Sequence, residues 1–162
     1  MKHWYKYSTD HNSSSFTRLN MDSSFQQHQF TNSGYKVNSY YQSKEKFLNN
    51  YLTDRFESYH DFIKTRITKG QTILSVASGR CINESHLVSE GGYKIDVSEL
   101  ELPASSKAIT QLFPGLNFIQ LDIINSIPEK KYDVILCFSL IYLFDEKDLD
   151  KFFRNISDSL NK

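Results

Sequence analysis

The spacing of apolar side chains divides this chain into three parts. Residues 1–41 show no periodicity and are rich in Ser, Asn, Gln and Tyr, with Met1, Leu19, Met21 and few other aliphatic residues. Such a stretch has little aliphatic surface to offset the entropy of ordering. Yet Trp4, Tyr5, Tyr7, Phe16, Phe25, Phe30, Tyr35, Tyr40 and Tyr41 punctuate it. The expectation is an irregular arm that orders by docking aromatic rings onto the remainder, with a solvated tail as the alternative. From about Ser43 the pattern turns helical. Phe47, Leu48, Tyr51, Leu52, Phe56, Tyr59, Phe62, Ile63 and Ile67 recur at steps of three and four, forming one apolar stripe. A single amphipathic helix within 42–70 is expected, ending at Lys69-Gly70 with a cation in its last turn and glycine beyond.

Over residues 71–162 short apolar runs alternate with helical stretches. Thr72–Val76 reads as a buried strand, followed by the small-residue turn Ala77-Ser78-Gly79-Arg80-Cys81. A helix over Ile82–Glu90 ends at Gly91-Gly92, and Tyr93–Val97 reads as a second strand. Pro103 opens a helix through Leu112, using the first-turn preference of proline, and Phe113-Pro114-Gly115 closes it. Leu116–Leu121 and Tyr132–Phe138 are the third and fourth strands. The last helix, about Glu146–Leu160, has Asp145 as N-cap and places Leu149, Phe152, Phe153, Ile156 and Leu160 on one face. Such alternation with short linkers predicts an α/β fold, a parallel sheet wrapped by crossover helices.

Composition narrows the function classes. Lys plus Arg and Asp plus Glu number 19 each, so the chain lacks the cationic excess of a general polyanion binder. The charge is uneven: residues 1–70 carry 10 basic and 6 acidic side chains, residues 71–162 carry 9 and 13. The longest apolar run, Val134–Phe144, is too short to span a bilayer, and no secretory signal opens the chain. Two cysteines, Cys81 and Cys137, make no disulfide framework, though a regulatory pair at one end of neighbouring strands is a minor alternative. The five histidines have no metal-ligand spacing. A reduced, cytoplasmic protein without a membrane partner is expected.

In a parallel sheet of this kind, ligands bind at the carboxyl ends of the strands, beside the first strand where the order reverses. Three strand ends carry suitable chemistry. Ala77–Cys81 is small enough for close backbone approach, and the helix behind it presents unpaired N–H groups. Asp96, with Val97 and Ser98 after it, can accept hydrogen bonds from both hydroxyls of a ribose. Asp122-Ile123 can hold an adenine amine and an adenine face. Together these point to an adenosine-containing cofactor.

The stretch from Thr72 to Leu160 resembles the first half of a class I S-adenosylmethionine-dependent methyltransferase, whose fold is Rossmann-like. ILSVASGRC falls where that family has its glycine-rich first motif, and YKIDVSE resembles the second, whose acid holds ribose. FPGLNFIQLDI is similar to the third-strand segment, and YDVILCFSLIYLF to the fourth, which borders the methyl group. The resemblance implies that Ala77, Gly79 and Cys81 take the glycine positions and that Asp96 and Asp122 are the ribose and adenine acids. It further implies that Phe138, Ser139 and Leu140 line the reaction end, and that the strand order is 3-2-1-4.

Three departures qualify the match. Only Gly79 remains of three glycines; Ala77 and Cys81 carry a Cβ that disfavours positive φ, so ordinary backbone angles are expected there. The first strand has Ser75 where the family has an acid near the methionine amine; Glu84 is a compensating acid, or simply an acid favoured in a helix's first turn. The chain ends after the fourth strand and its helix, leaving Val134–Phe138 as an unprotected apolar edge. Continuation into further strands, pairing with a second copy, or coverage by the arm would each protect it. The expectation is a piece of a longer protein whose isolated 1–162 chain self-associates.

The function expected is methyl transfer to a small-molecule acceptor, with the basic arm leaving RNA open as an acceptor. The alternatives are a non-catalytic, partial methyltransferase-like domain acting through a protein partner, and a nicotinamide-dependent oxidoreductase. The second lacks its G-x-G-x-x-G fingerprint. Tyr40 and Tyr41 are candidates to close over a cofactor, or helix-packing residues.

Overall fold

The computed structural model describes residues 3–6, 17–20, 43–49, 54–79, 81–103, 105–138, 140–141 and 144–162; for 3–6, 17–20 and 54–58 it describes the backbone alone. In the arm, β1 (His3–Lys6) and β2 (Thr17–Asn20) pair antiparallel, a regularity the aperiodic sequence did not announce. The aromatic docking expected of residues 1–41 falls outside the described residues, as do Tyr40 and Tyr41.

The helical stretch contains two elements, α1 (Lys44–Asn49) and α2 (Asp54–Lys64), with 50–53 outside the described residues. α2 ends earlier than expected. Thr65 turns its hydroxyl onto the Phe62 carbonyl at 2.8 Å, and the Arg66 N–H tightens onto the Ile63 carbonyl at 2.8 Å. Side-chain bonds of this kind compete with the helical ladder. Phe62, expected on the buried stripe, is 56% exposed and lies under the Arg66 guanidinium, 3.6 Å from its ring centroid.

The remainder is the expected three-layer α/β unit. β3 (Ile73–Val76), β4 (Ile95–Glu99), β5 (Leu116–Gln120) and β6 (Val134–Cys137) form a parallel sheet in the order β5-β4-β3-β6. This is the order 3-2-1-4 counted along these strands. α3 (Ile82–Gly91) and α4 (Ser106–Leu112) are the crossovers, and α5 (Glu146–Ser159) follows β6. α4 begins three residues after Pro103, whose carbonyl accepts the Ser106 N–H at 2.9 Å. At α5 the Asp145 carboxylate accepts the Asp148 N–H at 3.0 Å, satisfying one of the orphan donors of the first turn.

Two cores lie on the two faces of the sheet. Ile73, Ile95, Val97, Leu116 and Leu136 point to the face covered by α1 to α4, against Phe47, Ile63, Leu87, Ile109 and Phe113. Leu74, Val76 and Tyr132 point to the other face, against Phe144 and Phe152 of the α5 side. This alternation separates the cysteines: Cys81 belongs to the first core and Cys137 packs against the second, so the sheet stands between them. The two thiols are free, and the regulatory pairing fails on this geometry.

α2 is fastened to α3 by a polar clasp. Glu90 accepts from Lys64 Nζ at 2.9 Å and lies 2.9 Å from His60 Nε2 and 3.4 Å from His86 Nδ1. These partners hold its carboxyl down at about 2 against the opposing penalty of burial. Among the described residues β6 is an edge of the sheet, as expected. Just before it, Tyr132 forms a parallel bridge with Leu160: its N–H donates to the Ser159 carbonyl at 2.9 Å, and the Asn161 N–H donates to its own carbonyl at 2.8 Å.

Candidate functional site

The loop after β3 has an unusual backbone. Ala77, Gly79 and Cys81 all adopt positive φ, at 52°, 58° and 55°. The expectation of ordinary angles at Ala77 and Cys81 is therefore corrected: both take the left-handed conformation that glycine would take without penalty. Each such non-glycine residue costs about 1–2 kcal/mol, so the surrounding structure must enforce it. The enforcing bonds are visible. The Ser78 N–H donates to the Ser98 carbonyl of β4 at 3.3 Å, and the Cys81 N–H donates to the Ser78 carbonyl at 2.9 Å. The buried Cys81 thiol sits 3.4 Å from Ser78 Oγ. Burial lifts that thiol well above its usual range, so it is an inert packing group. A Cβ built on Gly79 meets nothing within 4 Å, so the loop is open on that side.

The acid expected beside this loop is not Asp96. In register Asp96 stands opposite Leu74, the second residue of β3, while β4 runs on to Glu99. Asp96 thus lies toward the opposite end of the strand, facing the α5 side. There its carboxylate accepts from Asn117 Nδ2 at 2.8 Å and Tyr132 Oη at 2.7 Å, with Lys130 Nζ 2.7 Å away. Burial opposes ionisation, but Lys130, Asn117 and Tyr132 hold the carboxyl below its ordinary range. This is a structural network, and the ribose role is withdrawn from Asp96.

Glu99 stands at the loop end of β4 instead. It is the last residue of β4, and its Oε1 accepts the backbone N–H of Gly79, tying strand end to loop. It is 5% exposed, and burial pushes its carboxyl up to about 7, with the Glu84 carboxyl adding to the rise and the Gly79 N–H opposing it. Sequence reading missed Glu99 because it took the second strand as Tyr93–Val97. The signal was the second acid three residues beyond Asp96, which only the register promotes to the strand end.

The other expected residues divide. Asp122 does follow β5 and lies beside Glu99, because the neighbouring Leu121 N–H donates to the Glu99 carbonyl at 2.9 Å. Its carboxylate accepts from Asn125 Nδ2 at 2.7 Å and the Ile124 N–H at 3.3 Å, fixing the turn. Ile123 is 4% exposed within the second core and offers no free face to an adenine; Leu140, at 3%, is buried in the same core. Val97 is wholly buried in the first core, away from any cleft. Phe138 stands at the carboxyl end of β6, its ring 5.8 Å from that of Tyr59 of α2. Ser139 lies outside the described residues. Ala77–Gly79, Cys81, Glu99, Asp122 and Phe138 therefore share one end of the sheet, whereas Asp96, Val97 and Ile123 do not face it.

No protein-family model matches this chain, and no curated protein does. Solved structures do. A TehB-like SAM-dependent methyltransferase from Corynebacterium glutamicum superposes with a TM-score of 0.57 at 17% identity, over 76% of this chain and 66% of that one. The 1,6-didemethyltoxoflavin-N1-methyltransferase of Burkholderia thailandensis, solved with 1,6-didemethyltoxoflavin and S-adenosylhomocysteine, gives 0.58 at 11% identity over 88% and 62%. Coclaurine N-methyltransferase, bound to N-methylheliamine and S-adenosylhomocysteine, gives 0.56 at 16% over 69% and 36%. The fold is that of the class I SAM-dependent methyltransferases. The chain spans between about a third and two thirds of the length of these structures. No helix among the described residues is long and apolar enough to cross a membrane.

Proposed function

We propose that this chain binds S-adenosylmethionine across the Ala77–Cys81 loop, Glu99 and Asp122, and supports methyl transfer to a small-molecule acceptor. The observation that carries the reading is the tie between Gly79 and Glu99. A loop held in three left-handed residues opens its backbone beside a strand-end carboxylate, in a sheet of methyltransferase order. The residues fit the cofactor: Gly79 leaves open space where a side chain would stand, and Glu99 Oε2 takes no hydrogen bond from the described residues. That second oxygen is suited to the ribose hydroxyls, and hydrogen bonds to a charged group contribute roughly 1.5–3 kcal/mol.

When bound, the cofactor supplies a methyl group already activated by its sulfonium. What remains for the chain is positioning and the exclusion of water, which explains why no nucleophile or metal set is required. Among the described residues no cluster of His, Cys, Asp or Glu is arranged to hold a metal. Phe138 and Tyr59, their rings tilted at 41° to each other, offer aromatic surface at the β6 side, where the reacting end would lie. The neighbours solved with 1,6-didemethyltoxoflavin and with N-methylheliamine each hold a small molecule together with S-adenosylhomocysteine, which supports a small-molecule acceptor.

Thermal unfolding with added ligand tests it. At a hundredfold excess over its dissociation constant, a ligand stabilises by about 2.7 kcal/mol, or roughly 5–10 °C for a chain of this size. S-adenosylhomocysteine should produce the shift and NAD should not. Glu99→Ala should abolish it, whereas Asp96→Ala should keep it from a lower starting temperature. A shift with NAD, or one indifferent to Glu99→Ala, would overturn the assignment.

A further inference from the structure

The attachment of α2 depends on few buried side chains. Of those described in it, only His60 and Ile63 are buried, while Tyr59 and Phe62 are exposed. Much of the fastening therefore falls to the clasp on Glu90, whose two oxygens are shared among three nitrogens. Oε2 lies 2.9 Å from both His60 Nε2 and Lys64 Nζ, and Oε1 lies 3.4 Å from His86 Nδ1. The two imidazoles are each 7% exposed and meet edge to face, with centroids 5.7 Å apart.

With both rings neutral, Lys64 and Glu90 balance one another. A proton on either ring is a charge beyond that balance, taken out of water, and a second proton would face the first across the ring contact. Among the described residues the other charged groups lie elsewhere. Asp61 of α2 is exposed and acts on Lys64, as does Tyr93 after α3. Glu84 of α3 is bonded to Ser75 of β3. Lys44, Glu45 and Lys46 of α1 are exposed, and α1 meets His86 through the Leu48 carbonyl. The clasp also reaches the candidate site. Tyr59 directly precedes His60, and its ring packs 5.8 Å from that of Phe138 at the carboxyl end of β6.

We propose that the His60–His86–Glu90 clasp is an acid-released fastener: protonation of both imidazoles on one carboxylate loosens the Tyr59–Lys64 segment from α3 and withdraws the Tyr59 ring from Phe138. The sign follows from burial, which lowers the proton affinity of His86; the His60 ring adds to the fall, and Glu90 and the Leu48 carbonyl oppose it. A ring that binds its proton less tightly when clasped than when released favours release as the pH drops below its ordinary value of 6.5. The Glu90 carboxyl, held at about 2, stays ionised throughout, so within the clasp only the histidines change charge between pH 7 and pH 5. The proposal stands apart from the cofactor reading, and its test uses no ligand.

Amide exchange at pH 7 and pH 5, corrected for the chemical rate at each pH, compares α2 with α5 in the unaltered chain and in two variants. His60→Gln and His86→Asn each keep a nitrogen facing Glu90 and remove one titrating ring. Fluorophenylalanine labelling supplies a second readout, the fluorine resonance of Phe138, assigned through Phe138→Leu. In the unaltered chain, protection of α2 should fall at least tenfold more than that of α5 between pH 7 and pH 5, and the Phe138 resonance should move. In each variant the relative fall should stay within threefold and the resonance should hold. Glu99, which titrates in the same window, is common to all three proteins. Equal change in α2 and α5 of the unaltered chain overturns the proposal, and so does the same pH dependence in both variants. Loosening of α2 with an unmoved Phe138 resonance overturns the link to the site. If circular dichroism shows one variant unfolded, the other decides beside the unaltered chain.

Discussion

Replacing Glu99 by Gln should stabilise the protein while removing its ligand. The folded-state value of this carboxyl is raised from 4.5 to about 7, chiefly by burial. A group raised in this way binds its proton more tightly in the folded than in the unfolded chain. Its favourable contribution is complete below the unfolded value of 4.5 and is lost as the pH rises through about 7. At 1.36 kcal/mol per pH unit, the ionised carboxylate at pH 8.5 weighs against folding by about 3 kcal/mol. Glutamine can still accept the Gly79 N–H, but its amide group needs an acceptor the acid did not. That offsets about 1 kcal/mol, leaving a net gain of about 2. Urea unfolding of both proteins without ligand, at pH 5, 7 and 8.5, measures it. Glu99→Gln should match the parent at pH 5 and exceed it by about 2 kcal/mol at pH 8.5. The difference between the two proteins cancels Asp96, the histidines and the other groups that do not act on Glu99; Glu84, which adds to its rise, is relieved in the variant and adds to the gain. Parallel stability at all three pH values, or a variant that is weaker at pH 8.5, would refute the claim that burial raises the Glu99 carboxyl toward neutrality. The same variant should lose at least tenfold in affinity for S-adenosylhomocysteine, the trade of stability for function common at binding sites.

Asp96→Ala leaves Tyr132 Oη and Lys130 without their acceptor and should cost about 2–4 kcal/mol in urea unfolding, with S-adenosylhomocysteine affinity unchanged where the protein remains folded. In the parent, whose Asp96 carboxyl is depressed below 3.8, that stabilisation is present at neutral pH and is lost as the pH falls through the depressed folded value. Ala77→Gly relieves a left-handed residue at φ 52°; less the entropy glycine adds to the unfolded chain, a gain of about 0.5–1 kcal/mol is expected by the same measurement. Phe152→Ala empties the core under α5, where Phe152 is 2% exposed, and should cost about 3–5 kcal/mol. Glu90→Ala unfastens α2 from α3, and faster amide exchange confined to Asp54–Lys64 should report it.

Local pattern alone determined most of the scaffold. Four short apolar runs separated by helical stretches leave a parallel sheet as the arrangement that buries both faces, and the structure has that sheet, in the order that the family resemblance, not the local pattern, implies. The Asp145 cap, the helix from Ile82 and the loop at Ala77–Cys81 were equally legible, because each depends on residues within a few positions of one another. The choice between Asp96 and Glu99 was not. Both acids lie in one strand, three residues apart, so they face opposite sides and different ends; pairing of Leu74 with Asp96 decides which is which, and no feature of YKIDVSE encodes that pairing. The same holds for the left-handed angles of Ala77 and Cys81, which local preference argues against and bonds to β4 impose. Val97, Ile123 and Leu140 went into the cores for a related reason: an apolar residue near a strand end is lining or filling according to which face it is on. Short-range order is written in side-chain size and polarity along the chain. Which carboxylate meets a ligand depends on the alignment of distant strands, a property of hydrogen-bonded partners and not of any one segment.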